Sequence, residues 1–132
     1  MKITADTNIL LRDVLQDDPL QAKAAAEVLH SAGLVAIPTA VLCEFVWVLR
    51  SGYKHSTQEI ASAIRELLAS ENVVMEYSAV EAGLGTLEAG GDFADGAVAQ
   101  EGLRLGAEEF VSFDKKAVSL LKSQGKRSRL LS

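Results

Sequence analysis

Residues 2–8 read Lys-Ile-Thr-Ala-Asp-Thr-Asn, and this stretch decides the fold. Its first half is short and partly β-branched, which favours a strand, and it stops at the carboxylate of Asp6. The apolar run 9–11 follows at once and predicts a helix. Ligands of open α/β sheets bind outside the carboxyl ends of the strands, so an acid at this point is a candidate functional group. Aspartate is also a common helix N-cap, and this stretch alone does not decide between the two roles.

Working outward from residues 2–8, short apolar segments alternate with helical patterns along the whole chain. Strands are predicted at 2–6, 34–37, 73–75 and 110–113, with an edge strand at 129–131. Helices are predicted at about 9–15, 20–31, 39–50, 56–70, 78–89, 92–106 and 115–122. This alternation predicts an α/β fold, a three-layer α/β/α domain with a central parallel sheet of four to five strands.

Capping signals support three of the helix starts. Asp18 followed by Pro19 is typical of an N-cap and a first helical residue. Ser56 and Ser78 are each followed three residues later by glutamate, which is the capping-box pattern.

Length and composition limit the class of protein. The 132 residues are most simply one domain, 1–132, and the chain is long enough to bury a core. No apolar run approaches the 18 or so residues that a membrane span needs, and the N-terminus lacks the apolar region of a signal peptide, so a cytoplasmic protein without a membrane partner is expected. The single cysteine, Cys43, excludes an internal disulfide and a cysteine-rich metal site.

The charge is unevenly distributed. The net charge of −5 argues at first against a nucleic-acid partner. From residue 115 onward, however, there are six basic residues and no acid, whereas residues 1–114 carry 7 basic and 18 acidic residues, a net charge of −11. The basic residues of this terminal segment are Lys115, Lys116, Lys122, Lys126, Arg127 and Arg129. They fit either a frayed, solvated tail or a segment that contacts phosphate.

Three further acids fall near the ends of predicted elements. Asp114 follows the strand 110–113, so it should lie at the same edge of the sheet as Asp6. Asp95 lies in the first turn of a helix among apolar neighbours, although the helix dipole alone could account for an acid there. For Asp92, three residues earlier, the N-cap role is favoured over a catalytic one.

Glu44 is the most unusual acid, because it lies in the most apolar stretch of the sequence. Its helical neighbours are Ala40, Val41, Trp47 and Val48, and no basic side chain lies within one turn. Burying an unpaired carboxylate costs several kcal/mol, so a buried Glu44 is expected to need a cation. The alternative is that Glu44 lies on a solvated side of the helix.

Together these acids predict a metal site. Four carboxylates, those of Asp6, Glu44, Asp95 and Asp114, could converge. The two histidines, His30 and His55, lie in surface-like contexts. An oxygen-rich cluster without histidine selects Mg²⁺ or Mn²⁺ over zinc. Such an ion can activate water and stabilise a departing oxyanion, typically on a phosphate substrate. The sequence has no Walker-A loop, dinucleotide fingerprint or Gly-x-Ser-x-Gly elbow.

Four motifs in this order resemble the PIN-domain ribonucleases. They are Asp6-Thr7-Asn8 after the first strand, Glu44 in an apolar helix, Asp95 in Asp92-Phe93-Ala94-Asp95-Gly96-Ala97, and Asp114 in Ser112-Phe113-Asp114-Lys115. The length is similar to that of the VapC toxins of type II toxin–antitoxin operons. Ser112 stands where family members often carry threonine, and Gly96 stands where alanine is usual.

The resemblance implies a Mg²⁺/Mn²⁺-dependent endoribonuclease, commonly a homodimer, that a cognate antitoxin inhibits. By position, it implies that Asp6 and Asp95 are the main ligands of a first metal. Glu44 would bind directly or through water, Asp114 would complete the cluster, and Asn8 and Ser112 would orient ligands or phosphate. It also implies an RNA substrate, with a tRNA loop as one candidate. Candidate contacts to the RNA phosphates are the basic residues Arg12, Arg50, Lys54, Lys115 and Lys116.

Two other functions are considered. A haloacid-dehalogenase-like phosphatase would use Asp6 as its nucleophile, but that chemistry needs an aspartate two positions on, where this chain has Asn8. A degenerate PIN-like or receiver-like module would bind protein without catalysis, and it would neither bind metal tightly nor arrest growth.

Overall fold

The computed structural model describes residues 1–132, which form seven helices and five strands. The chain divides into two compact units, Met1–Glu76 and Tyr77–Ser132. None of the helices is both long enough and apolar enough to cross a membrane.

The first unit holds a three-stranded parallel sheet and four helices. Its elements in chain order are β1 (Lys2–Thr4), α1 (Thr7–Leu15), α2 (Pro19–Ser31), β2 (Leu34–Ala36), α3 (Thr39–Ser51), α4 (Thr57–Ala69) and β3 (Val73–Val74). The strand order is β1-β2-β3, with Ile3 opposite Val35 and Val35 opposite Val73. Parallel strands need helical crossovers, which α1 and α2 provide between β1 and β2 and which α3 and α4 provide between β2 and β3.

The second unit holds three helices and a two-stranded parallel sheet. Its elements are α5 (Tyr77–Glu88), α6 (Phe93–Arg104), β4 (Phe110–Ser112), α7 (Lys115–Ser123) and β5 (Ser128–Leu130). Strands β4 and β5 pair with Val111 opposite Arg129, and α7 is their crossover. The terminal basic segment is therefore ordered as helix and strand, which is not the frayed tail that was one alternative.

The parallel α/β class is confirmed, and the helices and strands are compatible with the three-layer α/β/α arrangement. All five predicted strands are present. They are divided between a sheet of three strands and a sheet of two, instead of the single sheet of four to five strands that was expected. The expectation of a single domain over 1–132 stays a prediction.

The core of each unit is apolar and fully enclosed. In the first unit the largest buried side chains come from α1, α3 and α4 and from the end of β2, and they include Leu10, Ile37, Phe45, Leu49 and Ile64. In the second unit Phe93 at the start of α6 is buried with Val80 and Leu87 of α5 and with Leu121 of α7. Burial of these side chains holds the helices on the strands, because each removes a large apolar area from water.

Two of the three predicted caps are present. The Asp18 carboxylate accepts from the Gln21 N–H at 3.1 Å, and Pro19 is the first helical residue. Ser56 and Glu59 form the capping box, with bonds of 3.1 and 2.8 Å to each other's backbone N–H groups. The third prediction was wrong, because α5 begins at Tyr77 and places Ser78 inside the helix.

Candidate active site

Asp6 lies directly after β1, at the carboxyl edge of the three-stranded sheet. It is the N-cap of α1, and its Oδ1 accepts from the Ile9 N–H at 3.2 Å. A carboxylate has two oxygens and about four lone-pair directions, so this one bond leaves Asp6 with further acceptor capacity. The side chain is exposed. The structure therefore shows the capping role without removing the functional one.

A cavity of about 670 Å³ lies between α1 and α2 beside Asp6. Its lining includes Asp6, Asn8 and Arg12 from α1, and Gln21 and Val28 from α2. The Arg12 guanidinium donates to Asp17 at 2.9 Å, an ion pair that raises the pKa of Arg12. Asp6 and Asn8 thus face one cavity that is also lined by the ion-paired guanidinium of Arg12.

Glu44 is exposed, which corrects the expectation of a buried carboxylate that needs a cation. Ala40 is exposed on the same side of α3, and Trp47 is 67 % exposed. The core-facing side of the helix is formed instead by Leu42, Phe45, Val46 and Leu49. Because α3 is apolar nearly all round, the neighbours of Glu44 in sequence gave no indication that its side faces solvent.

Three acids of the second unit line one small cavity of about 40 Å³. Asp92 and Asp95 come from the start of α6, and Asp114 comes from the start of α7. A volume of this size can hold a water molecule or an ion, but not a large organic group. Asp95 and Asp114 are two of the four acids that were expected to converge, and Asp92 lies beside them in this cavity. The convergence of all four acids stays a prediction.

The electrostatics of this cavity centre on Asp95, which is half-buried in the first turn of α6. Burial raises the pKa of Asp95 most, and the negative charges of Asp92 and Asp114 raise it further. Like charges in one cavity disfavour ionisation of one another, and a bound cation would reverse that effect.

Asp92 and Asp114 differ in whether their side chains cap the helices that they begin. Asp114 caps α7, with its Oδ1 accepting from the Ala117 N–H at 3.0 Å. Asp92 occupies the N-cap position of α6, but its side chain makes no capping hydrogen bond. The prediction that the Asp92 side chain caps α6 is therefore wrong, although Asp92 does lie at the predicted N-cap position.

Ser112 holds the backbone that carries Asp114. Its hydroxyl accepts from the Asp114 N–H at 2.9 Å, directly after β4. This contact fixes the turn between the strand and α7. The prediction that Ser112 orients a site residue is consistent with this bond, and its effect on ligands stays a prediction.

A buried contact between α5 and α6 sets the position of Asp92 and Asp95, and sequence reasoning missed it. The Thr86 side chain is completely buried, and its hydroxyl lies 2.9 Å from the carbonyl oxygens of Gly83 and Asp92. A Cβ added at Gly96 would overlap the carbonyl oxygen of Ala82 and the hydroxyl of Thr86. Gly96 therefore permits the close approach of α6 to α5, and it does more than weaken the start of the helix.

The donor chemistry of the acidic cavity fits a hard divalent cation. Its acids are carboxylates only, it has no histidine or cysteine, and their charges repel one another. Neither unit, however, holds three or more His, Cys, Asp or Glu side chains already arranged closely enough to bind an ion. The chemistry of the residues therefore fits the ion, whereas a complete coordination shell is not preformed within either unit.

Comparison with curated proteins gives no match. A family model described as the PIN domain matches residues 3–120, which is most of the chain and includes all the candidate acids. The chain therefore belongs to the PIN-domain family, whose members are generally nucleases.

Proposed function

We propose that this chain is a Mg²⁺- or Mn²⁺-dependent endoribonuclease that hydrolyses RNA phosphodiester bonds. The observation that carries the proposal is the cavity lined by Asp92, Asp95 and Asp114 in a chain of the PIN family. Asp95 and Asp114 are the proposed metal ligands in this cavity. Asp6 and Glu44 stay proposed ligands on the strength of the family resemblance, with Asn8 in support.

The chain's own residues have separable tasks in this proposal. When bound, the ion supplies an activated water and stabilises the departing oxyanion. Ser112 holds the Asp114 backbone in place, and Thr86 ties the start of α6 to α5. Lys116 lines the acidic cavity and brings a positive charge close to where a substrate phosphate would lie.

The first test is cleavage of total RNA by the purified protein. We expect cleavage with Mg²⁺ or Mn²⁺, its loss with a chelator, and its loss in Asp6→Asn with the fold retained. Undiminished cleavage after chelation and in the variant would contradict the metal mechanism. Absence of cleavage, together with no metal binding by calorimetry, would instead support the non-catalytic binding module.

We also propose that the nuclease is the toxin of a toxin–antitoxin pair, and that it is a cytoplasmic homodimer which a cognate antitoxin inhibits. What supports this is the resemblance to the VapC toxins in length, together with the order of the four motifs, which is similar to that of the PIN-domain ribonucleases. Expression of the protein should then arrest growth, and the product of a neighbouring gene should relieve the arrest. Normal growth on expression of the active nuclease would count against the toxin role. A monomeric mass at micromolar concentration would count against the homodimer.

A basic groove on α7 is the proposed path of the RNA strand. The groove has a volume of about 530 Å³ and is lined by Ala89, Lys115, Lys116, Ser119, Leu120 and Ser123. Lys116 and Leu120 line both this groove and the acidic cavity, so the two adjoin. The residues from α7 recur at helical spacing and share one side of that helix. Lysines and hydroxyls on such a surface suit a phosphate backbone and carry no base preference.

The double variant Lys115→Gln/Lys116→Gln should weaken RNA binding by a similar factor for RNAs of different sequence. Each phosphate contact on a single strand contributes about 0.7 to the slope of log K against log salt, so two contacts should reduce that slope by about 1.4. Binding is measured in chelator, so that no RNA is cut. The matched control is the double variant Lys122→Gln/Lys126→Gln, which removes the same charge from residues outside the groove. An equal loss of slope in both double variants would show that only net charge matters.

A further inference from the structure

The N-terminus of α3 differs from the other helix starts of the first unit. Helices α1, α2 and α4 are capped by the side chains of Asp6, Asp18 and Ser56. Helix α3 follows Pro38, which makes no side-chain cap. The Val41 N–H donates to the Pro38 carbonyl at 3.0 Å, whereas the first two N–H groups of the helix, those of Thr39 and Ala40, have no partner within it. Pro38 and Ala40 are exposed, which leaves this end of the helix open to solvent.

A second and independent observation concerns Thr39, the first residue of α3. Its side chain is only 8 % exposed, and its Oγ1 is the one buried side-chain polar atom in residues 1–132 without a hydrogen-bond partner. A buried hydroxyl left unsatisfied reduces stability, whereas valine would fill the same space without that cost. The requirements of folding therefore do not explain a hydroxyl at this position, whereas a hydrogen bond to a ligand would.

The sheet register places this hydroxyl at the same edge as Asp6. Thr4 lies opposite Ala36, and the Ala5 N–H donates to the Ala36 carbonyl at 3.0 Å, so β1 and β2 end together. Asp6 follows β1 and Thr39 follows β2 within two or three residues. Because Cα–Cβ bonds tilt toward the N-terminus of a helix, the Cα–Cβ bond of Thr39 is directed toward the open end of α3.

The groups at this end of α3 are hydrogen-bond donors. They are the backbone N–H groups of Thr39 and Ala40 and the hydroxyl of Thr39, and the positive end of the helix dipole lies beside them. Donors of this kind at a helix N-terminus bind anions, and phosphate above all. We propose that the N-terminus of α3, with the Thr39 hydroxyl, binds a phosphate of the nucleic-acid strand. The identification of that phosphate as RNA rests on the proposed function, whereas the binding of phosphate does not.

The test is a titration of the ¹⁵N-labelled full chain with inorganic phosphate in chelator, with sodium chloride at equal ionic strength as reference. The amide signals of Thr39 and Ala40 should shift with phosphate and not with chloride. Thr39→Val should bind phosphate on the order of tenfold more weakly, since it loses a hydrogen bond to a charged group. Its thermal midpoint should be equal to or above that of the wild type, because the unsatisfied hydroxyl is gone.

The chain offers a matched control in Thr57, which is the first residue of α4. That helix start is already capped by Ser56, and the Thr57 hydroxyl accepts from Arg50 at 2.9 Å. Thr57→Val should therefore lower the thermal midpoint and leave the phosphate shifts unchanged. The opposite pattern, a less stable Thr39→Val with unchanged phosphate binding, would overturn the proposal and make the hydroxyl structural.

The two proposals fail in different ways. Phosphate shifts at Thr39 without any RNA cleavage would retain this binding site and overturn the nuclease. Metal-dependent cleavage that is equal in wild type and Thr39→Val, with no phosphate shifts at α3, would retain the nuclease and overturn this binding site.

Discussion

Asp95→Asn should strongly reduce RNA cleavage while leaving the protein folded and no less stable. Asp95 is half-buried, and burial together with Asp92 and Asp114 raises its pKa. The fold thus disfavours the negative charge of Asp95, as expected for a group that serves a cation. Loss of a proposed metal ligand should reduce the cleavage rate by roughly 10² to 10³, which corresponds to several kcal/mol of transition-state stabilisation.

The pH dependence of stability follows from the direction of this pKa shift. A folded pKa above the ordinary carboxyl value means that the native state binds the Asp95 proton more tightly than the unfolded chain does. The resulting stabilisation is fully present below the ordinary pKa and is lost as pH rises through the raised folded pKa. Relative to the wild type, Asp95→Asn should therefore gain stability over that window and keep the gain at neutral pH. Denaturant unfolding at a series of pH values measures the difference.

Addition of metal should reverse the order of stability. An ion that binds only the native state stabilises it by mass action, so Mg²⁺ should raise the thermal midpoint of the wild type and not that of Asp95→Asn. The control is Glu101→Gln, which removes one negative charge from the same helix at a half-buried residue outside the acidic cavity. Retained cleavage in Asp95→Asn, or equal loss in Glu101→Gln, would remove Asp95 from the site.

Local chemistry made most of the helix starts predictable from the sequence. Asp18 with Pro19, and Ser56 with Glu59, act within one turn, and so the pattern and the structure agree. Strand positions were predictable for the same reason, since each is a short apolar segment between polar residues. The division of the strands between two sheets was not predictable, because pairing depends on contacts between residues that are far apart in sequence.

The candidate site divides in the same way. The acids at strand ends were identified because the end of a parallel strand is readable from local sequence. Asp6 follows β1 of the three-stranded sheet and Asp114 follows β4 of the two-stranded sheet, so, contrary to expectation, they do not share the edge of one sheet. The exposure of Glu44 was not predictable, because an almost wholly apolar helix does not reveal which side meets solvent. Thr39 gave no signal at all, since a threonine after a proline is an ordinary helix start and only its burial without a partner makes it unusual.

The contact between Gly96 and Thr86 shows how packing positions chemistry. Asp92 and Asp95 precede Gly96, at which α6 lies close to α5, and the Thr86 hydroxyl lies 2.9 Å from the Asp92 carbonyl oxygen at the same contact. The orientation of the acids thus depends on a glycine and on a hydroxyl that touch no ligand. Small residues at such a contact act on the site through the distance between two helices.

Gly96→Ala is accordingly expected to destabilise the fold. Alanine favours helix over glycine, but its Cβ would overlap the Ala82 carbonyl and the Thr86 hydroxyl, and a backbone carbonyl cannot rotate away as a side chain can. Overpacking of this kind costs about 1–3 kcal/mol, which should outweigh the gain in helix propensity. Denaturant unfolding should show the loss, and cleavage should fall as well, because the start of α6 is displaced from Thr86.

The same helix provides the control. Gly102 also lies in α6. A Cβ added there would lie 3.9 Å from the Cβ of Ala107, which is an ordinary contact distance. Gly102→Ala should therefore stabilise the protein by about 0.5–1 kcal/mol and leave cleavage intact. Opposite signs for the same substitution at two positions of one helix would locate the effect in the α5–α6 contact. A stabilised and active Gly96→Ala would show instead that α6 can move without consequence, and that Asp92 and Asp95 are not positioned by this packing.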